Sequence, residues 1–244
     1  MNRSERDRLY AVPREEMENF VFDERVAAVF GDMITRSVPG YATIVAMTGI
    51  LARRHAVDGS RIYDLGCSLG AASAVMAHGL EERECAIVAV DSAPAMLERA
   101  RVELAARGLE ERIELVCTDI RQLEIRSASV VVLNFTLQFI DPDDRLDLLQ
   151  RIRAGLLPGG VLLLAEKVAF ADPQRQQRMT AWHTAFKKAN GYSELEISQK
   201  RAALEKVLLP DTLDTHRARL REAGFRVVDE WFRCLNFAGL LAQC

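Results

Sequence analysis

Between residues 61 and 165 short apolar runs alternate with stretches whose apolar residues recur every three or four positions. The short runs predict strands over 61–65, 86–91, 112–117, 128–134 and 161–165. The periodic stretches predict helices over 70–80, 94–108 and 143–156. Ala128-Ser129-Val130-Val131-Val132-Leu133-Asn134 is apolar without alternation, as a strand covered on both faces should be. Pro94 suits a first helical turn, Gly108 ends that helix, and Leu157-Pro158-Gly159-Gly160 reads as a turn. Strands and helices in this alternation imply an α/β fold with a parallel sheet and right-handed crossovers.

The flanks depart from that rhythm. Residues 1–19 are polar and charged, and predict a flexible N-terminal arm ahead of a single domain over 20–244. Asp23 is placed to cap a helix carrying Val26, Val29, Phe30, Met33 and Ile34 on one side. Ser37-Val38-Pro39-Gly40 breaks it, and a second helix follows over about 41–54 with Ile44, Met47 and Leu51 in its stripe. After strand five the pattern gives helices over about 172–189, 194–208 and 212–223. Residues 170–222 thus far exceed the dozen or so that a crossover needs. They leave the sheet near the carboxyl ends of its strands, where ligands bind. A lid, a subunit contact and a surface-packing insertion all fit. The end, 226–232 and 237–241, reads as two antiparallel strands joined through Leu235-Asn236.

Chemistry concentrates where the first strand stops, in Arg61-Ile62-Tyr63-Asp64-Leu65-Gly66-Cys67-Ser68-Leu69-Gly70. A strand, a glycine loop and a helix N-terminus together make a nucleotide site. Strand two ends in Asp91, roughly 20 to 25 residues beyond the glycines, where an acid can bind a ribose diol. A dinucleotide loop wants Gly-x-Gly-x-x-Gly, but here Ser68 stands at the middle glycine. Asp64 would repel a pyrophosphate and suits an ammonium group. S-adenosylmethionine carries an ammonium and no phosphate, and the segment resembles the Asp-x-Gly-x-Gly-x-Gly motif of class I S-adenosylmethionine-dependent methyltransferases.

Asp119 follows strand three, where a carboxylate can accept a hydrogen bond from an adenine amino group and the next N–H can meet a ring nitrogen. Asn134 ends strand four and faces either the methionine portion of the ligand or a turn it caps. Cys67 reads as a small loop residue. His183 and His216 read as surface or packing residues, and Glu166-Lys167 as a pocket wall or a surface ion pair.

Net charge −3 and the absence of a basic run argue against a nucleic-acid-binding face. The five cysteines show no metal-ligand spacing, so no metal is expected. No apolar run approaches 18 residues and the N-terminus is charged, so neither a membrane segment nor a secretion signal is expected, and a reducing, cytoplasmic setting follows.

Longer segments carry a closer resemblance. Val21-Phe22-Asp23-Glu24-Arg25-Val26, Arg36-Ser37-Val38-Pro39-Gly40-Tyr41, the glycine loop, Val131 through Phe139, and Asn190-Gly191-Tyr192-Ser193-Glu194-Leu195-Glu196-Ile197-Ser198-Gln199-Lys200-Arg201 are similar to the carboxy-S-adenosylmethionine synthase family over about 20–242. Ser68 belongs to that family's loop. The resemblance implies a class I methyltransferase fold, seven-stranded with an antiparallel terminal strand, used for an unusual reaction. Prephenate loses carbon dioxide and its hydroxyl to give phenylpyruvate. The departing hydroxide deprotonates the sulfonium methyl of S-adenosylmethionine, and the ylide captures the carbon dioxide. The product would supply a separate enzyme that modifies wobble uridines of transfer RNA, with no direct nucleic-acid binding here. The resemblance also implies a homodimer and a ligand site lined by Tyr41, Gly66, Cys67, Ser68, Asp91, Ser92, Asp119, Ile120, Asn134 and Arg201. The family has Asn where Ser92 stands. Arg201 is expected to pair with the transferred carboxylate, from its own subunit or a neighbour's. An ordinary methyltransferase of a small acid, a nicotinamide oxidoreductase and a non-catalytic binding subunit remain as rivals.

Overall fold

In the computed structural model, which describes residues 5–14, 18–80 and 82–244, the apolar runs form one seven-stranded sheet. Its strands are β1 (Arg61–Leu65), β2 (Ala86–Asp91), β3 (Ile113–Cys117), β4 (Ala128–Asn134), β5 (Leu156–Lys167), β6 (Val227–Cys234) and β7 (Phe237–Gln243). They lie in the order β3-β2-β1-β4-β5-β7-β6. The first five pair in parallel, while β7 runs antiparallel between β5 and β6. From β1 the chain fills one side through β2 and β3, then crosses to β4 on the other. The reversal opens a crevice at the carboxyl ends of β1 and β4.

Successive side chains point to opposite faces, so each apolar run feeds two cores. Val131, Leu133, Leu162 and Leu164 pack on one face with Leu148, Leu149 and Ile152 of α5 (Arg145–Gly155) and Leu220 of α8 (Leu213–Glu222). Val130, Val132, Val161 and Leu163 pack on the other with Ala52 of α2 (Tyr41–His55), Met76 of α3 (Ala71–Gly79) and Leu97 of α4 (Pro94–Ala105). Asp23 caps α1 (Glu24–Ser37) as expected, accepting the Val26 N–H at 2.9 Å.

Three details differ from the sequence reading. Residues 157–160 interrupt β5 rather than precede it. Leu156 pairs with Ala128 and Val161 with Val130, so the Pro158-Gly159 turn is a bulge within the strand. The long insertion divides by role. Of α6 (Pro173–Ala189), α7 (Glu194–Leu204) and α8, the last is an ordinary sheet-covering helix, and only α6 and α7 reach the crevice.

Part of the expected arm, residues 1–4 and 15–17, lies outside the described residues. Residues 5–14 are docked. Asp7 is buried and accepts the Tyr192 hydroxyl at 2.5 Å. Gln199 donates to the carbonyls of Tyr10 and Val12, both at 2.9 Å, and accepts the Arg14 N–H at 2.7 Å. Polarity signals exposure only until a polar group finds a buried partner.

Candidate functional site

The loop after β1 takes its shape from two contacts. A Cβ at Gly66 (φ +76°) would lie 2.3 Å from the Thr136 hydroxyl oxygen, which itself donates to the Leu65 carbonyl at 2.9 Å. The loops after β1 and β4 are therefore pressed together, and only glycine fits between them. Ser68 and Phe135 both hold left-handed backbone angles, φ 54° and 61°, on the facing walls of the crevice. Backbone strain at non-glycine residues gathers at working sites.

Asp91 at the end of β2 is oriented by backbone alone. One carboxylate oxygen accepts the Ser68 N–H and the other the Ala93 N–H, each at 2.9 Å. Burial pushes its carboxyl up against these opposing bonds. Each oxygen keeps a lone pair for a further donor. Asp64 is buried at the end of β1 and accepts the Ser73 hydroxyl at 2.5 Å. Burial raises it to about 6, Ser73 opposes, and the Asp91 charge adds to the rise. Burial likewise pushes the Tyr41 hydroxyl up to about 12.

These residues line a cleft of about 1260 Å³. Every residue expected at the site lies on its wall: Tyr41, Gly66, Cys67, Ser68, Asp91, Ser92, Asp119, Ile120, Asn134 and Arg201. Asp119 is also held by Arg121 at 2.6 Å, and that guanidinium keeps its carboxyl low. Cys67 is buried and its thiol is pushed well up by that burial, which removes it as a nucleophile. Three buried acceptors on the cleft wall lack partners among the described residues, the Ser68 hydroxyl and the side-chain carbonyl oxygens of Asn134 and Asn236, although the Asn134 amide donates to Thr48 at 3.3 Å. Orphaned acceptors beside two carboxylates fit a ligand rich in donors: a ribose diol and an ammonium group.

The opposite wall carries the other sign. Lys167 from β5, Lys187 from α6, and Lys200 and Arg201 from α7 all line the cleft. Burial, together with repulsion from Lys167, Arg201 and Lys200, lowers Lys187 to about 8. Burial also lowers Lys200 to about 8, opposed by Asp7 at 3.6 Å. Between the cations, His183 makes a 2.7 Å bond from Nε2 to the Ser37 carbonyl. A carbonyl only accepts, so Nε2 carries the proton and Nδ1 is left as an acceptor. Burial holds the ring neutral, with a pKa near 3.

Sequence reasoning missed most of this wall. Of the two readings of Glu166-Lys167, the pocket wall holds for Lys167, and the surface ion pair does not form. Glu166 is buried on the other side of β5, accepting the N–H groups of Leu137 (2.8 Å) and Gln138 (3.2 Å), while Lys167 faces the cleft. Strand alternation was the available signal. Nothing local marks Lys187, Lys200 or His183. His216 is a packing residue, buried with both ring nitrogens unpartnered.

Comparisons with known proteins agree with this geometry. Residues 62–160 match the methyltransferase domain family. Among solved structures, an O-methyltransferase family protein from Burkholderia thailandensis superposes with a TM-score of 0.64 at 20% identity, over 91% of this chain and 60% of that one. Human N-acetylserotonin methyltransferase superposes with a TM-score of 0.61 at 18% identity, over 90% and 55%. The chain thus spans less than two thirds of either structure, and the likeness shows the class I methyltransferase fold. The sequence relatives are far nearer. Carboxy-S-adenosyl-L-methionine synthase of Geobacter sp. (strain M21) is 56% identical over 238 residues, covering 97% of both chains. The protein of the same name from Photobacterium profundum is 50% identical over 242 residues, covering 99% of both. Identity at that level along nearly the whole length, on a methyltransferase fold, establishes that this chain is an enzyme of the carboxy-S-adenosyl-L-methionine synthase family.

Proposed function

We propose that the chain makes carboxy-S-adenosylmethionine from S-adenosylmethionine and prephenate. One observation carries the reading: the cleft is polarised, with Asp64, Asp91 and the Arg121-paired Asp119 at one end and Lys167, Lys187, Lys200 and Arg201, beside the exposed Glu205, at the other. Transfer of a methyl group to a neutral acceptor gives no reason for four cations. A reaction that brings in a dianion and leaves a carboxylate on the former methyl carbon does.

The bond changes balance. Prephenate parts into phenylpyruvate, carbon dioxide and hydroxide. Hydroxide takes a proton from the sulfonium methyl to form water, and the methyl carbon bonds the carbon dioxide. No protein base is required. The chain's residues position and stabilise. Asp91, fixed by two N–H groups, holds the ribose hydroxyls, and Asp119 with the Ile120 N–H reads the adenine edge. Asn134, Ser68 and Asp64 present acceptors to the amino-acid portion. Gly66, Cys67 and Ser92 shape the loop walls around the ligand, and Tyr41 lines the cleft beside Phe135, 6.3 Å between ring centroids. Arg201 pairs with the transferred carboxylate. It suits the task because its planar fork meets both oxygens and stays charged.

The same family resemblance supports three further parts of the reading. The protein is a homodimer, it works in the cytoplasm, and its product passes to a separate enzyme that modifies wobble uridines of transfer RNA. A net charge of −3 supports the absence of direct nucleic-acid binding. No helix of the described residues is long and apolar enough to cross a membrane. The test is incubation with S-adenosylmethionine and prephenate followed by mass spectrometry. The expected products are phenylpyruvate and a sulfonium heavier than S-adenosylmethionine by one carbon dioxide. S-adenosylhomocysteine as the product would refute the reading.

A further inference from the structure

The basic wall holds more charge than one transferred carboxylate needs. With Arg201 assigned to that group and Lys200 held by Asp7 and the Ser37 hydroxyl, 3.2 Å away, Lys167 and Lys187 remain. Both are half-buried on the cleft wall, and neither forms a salt bridge among the described residues. The charged groups acting on them are cations. Glu205, an exposed carboxylate on the same side of the cleft, is not among those groups. Desolvated cations that face one another are unfavourable unless something supplies the counter-charge. Two residues from separate elements, one at the end of a core strand and one on a covering helix, converge on one part of one cleft without it.

Reaction chemistry decides which anion. Prephenate carries two carboxylates, one lost as carbon dioxide and one kept in phenylpyruvate. A cation pair stabilises a carboxylate more than neutral carbon dioxide, so pairing the departing group would oppose its loss. Pairing the group that stays costs the reaction nothing and fixes the substrate's orientation.

We propose that Lys167 and Lys187 form an anion subsite that seats the side-chain carboxylate of the co-substrate, the one retained in the product. The inference rests on the reading of prephenate as co-substrate. It assigns both lysines to binding and orientation and leaves the ring carboxylate free to depart toward the bound sulfonium.

The test uses full-length protein loaded with S-adenosylhomocysteine, which lacks the methyl group and permits no turnover. Prephenate and phenylpyruvate are titrated in by calorimetry. Lys167→Met and Lys187→Met are each expected to weaken both acids by about tenfold or more, as for loss of one charge-assisted bond. The double variant should weaken them by roughly a hundredfold, and Lys187→Arg should retain most of the affinity. Affinity for S-adenosylhomocysteine stays within about twofold, which shows an intact fold. Unchanged affinity for both acids in the single and double variants overturns the subsite. Weakening for prephenate alone overturns the choice of carboxylate. If the wild-type protein binds neither acid, it is the substrate reading that fails. Malonate as a bare dicarboxylate then judges the lysines: binding lost in the double variant supports them, and absent or unchanged binding overturns them.

Discussion

Replacing Lys187 by methionine should stabilise the protein when no acid is bound. Burial and the charges of Lys167, Arg201 and Lys200 lower Lys187 from 10.5 to about 8. At about 1.36 kcal/mol for each tenfold, that drop is a penalty of roughly 3 kcal/mol on the charged folded form. Lys187 keeps some contact with water, so about 1 to 2 kcal/mol is a sounder figure after screening. Methionine keeps the apolar stem and removes the charge. For a chain of this size the melting temperature should rise by about 3 to 6 °C. The pH dependence has a definite sign. The folded pKa lies below the unfolded one, so between pH 8 and 10.5 the unfolded chain holds the proton that the folded chain has released. The Lys187 contribution to wild-type stability therefore climbs through that window. The advantage of Lys187→Met should be full at pH 7 and vanish near pH 10.5. Differential scanning calorimetry of both proteins across this range measures it. A variant no more stable than wild type at pH 7, or an advantage undiminished at pH 10.5, would refute the account of the basic wall. Saturating phenylpyruvate should narrow or reverse the order, because a ligand that binds the folded state stabilises it by RT ln(1 + [L]/Kd).

Three other outcomes follow from the site. Asp91→Ala should weaken S-adenosylhomocysteine by about 1.5 to 3 kcal/mol for each ribose bond lost and should abolish discrimination against the 2′-deoxy ligand; calorimetry that finds the discrimination intact removes the ribose assignment. Arg201→Ala should lose most of the preference for carboxy-S-adenosylmethionine over S-adenosylmethionine and Arg201→Lys should restore part of it, whereas a full preference in the alanine variant means another group holds the carboxylate. Gly66→Ala drives a methyl group to 2.3 Å from the Thr136 oxygen at φ +76°, so it should lower stability by at least about 1 to 3 kcal/mol. Thr136→Ala in the same chain should recover only the steric part, and a Gly66→Ala protein that melts like wild type would show that the loops are not in contact.

The acidic half of the site was legible because it is local. Asp64, Asp91 and Asp119 each end a strand within a few residues of a turn, and parallel neighbours bring successive strand ends side by side. The basic half was not. Lys187 and Lys200 lie on α6 and α7, where in sequence they read as ordinary charged helix positions. Their place on the cleft wall depends on how two polar helices fold back over the sheet. Arg201 was reached only through likeness to a family. Likewise the charges of residues 5–14 spelled an arm, because the partners that bury Asp7 stand some 180 positions away in sequence.

The same distance explains how the basic wall is held. Few apolar contacts tie α6 down. Among its residues His183 is buried, and its bond goes to the Ser37 carbonyl at the end of α1. The rest of the attachment is largely polar, apart from Ala203 and Leu204 of α7, which pack with Val26, Val29 and Met33 of α1. Arg36 donates to the Asn190 carbonyl at 2.7 Å, spans Asp7 and Asp32, and lies 3.9 Å over the Tyr192 ring. Tyr192 and Lys200 meet on Asp7, and Gln199 clasps the backbone of residues 10–14. An element fixed by hydrogen bonds over a small apolar contact opens at far lower free energy than the strands beneath it. That is the physical case for treating α6 and α7 as the cover of the cleft. It also accounts for the docked N-terminal segment. Lys200 and Arg201 are neighbours on α7, and the carboxylate of Asp7 fixes the first of them. The second is thereby set over the cleft, its side chain making, among the described residues, a 3.4 Å contact to Thr184. A strap at one end of the chain thus positions the cation through which we read the transferred carboxylate.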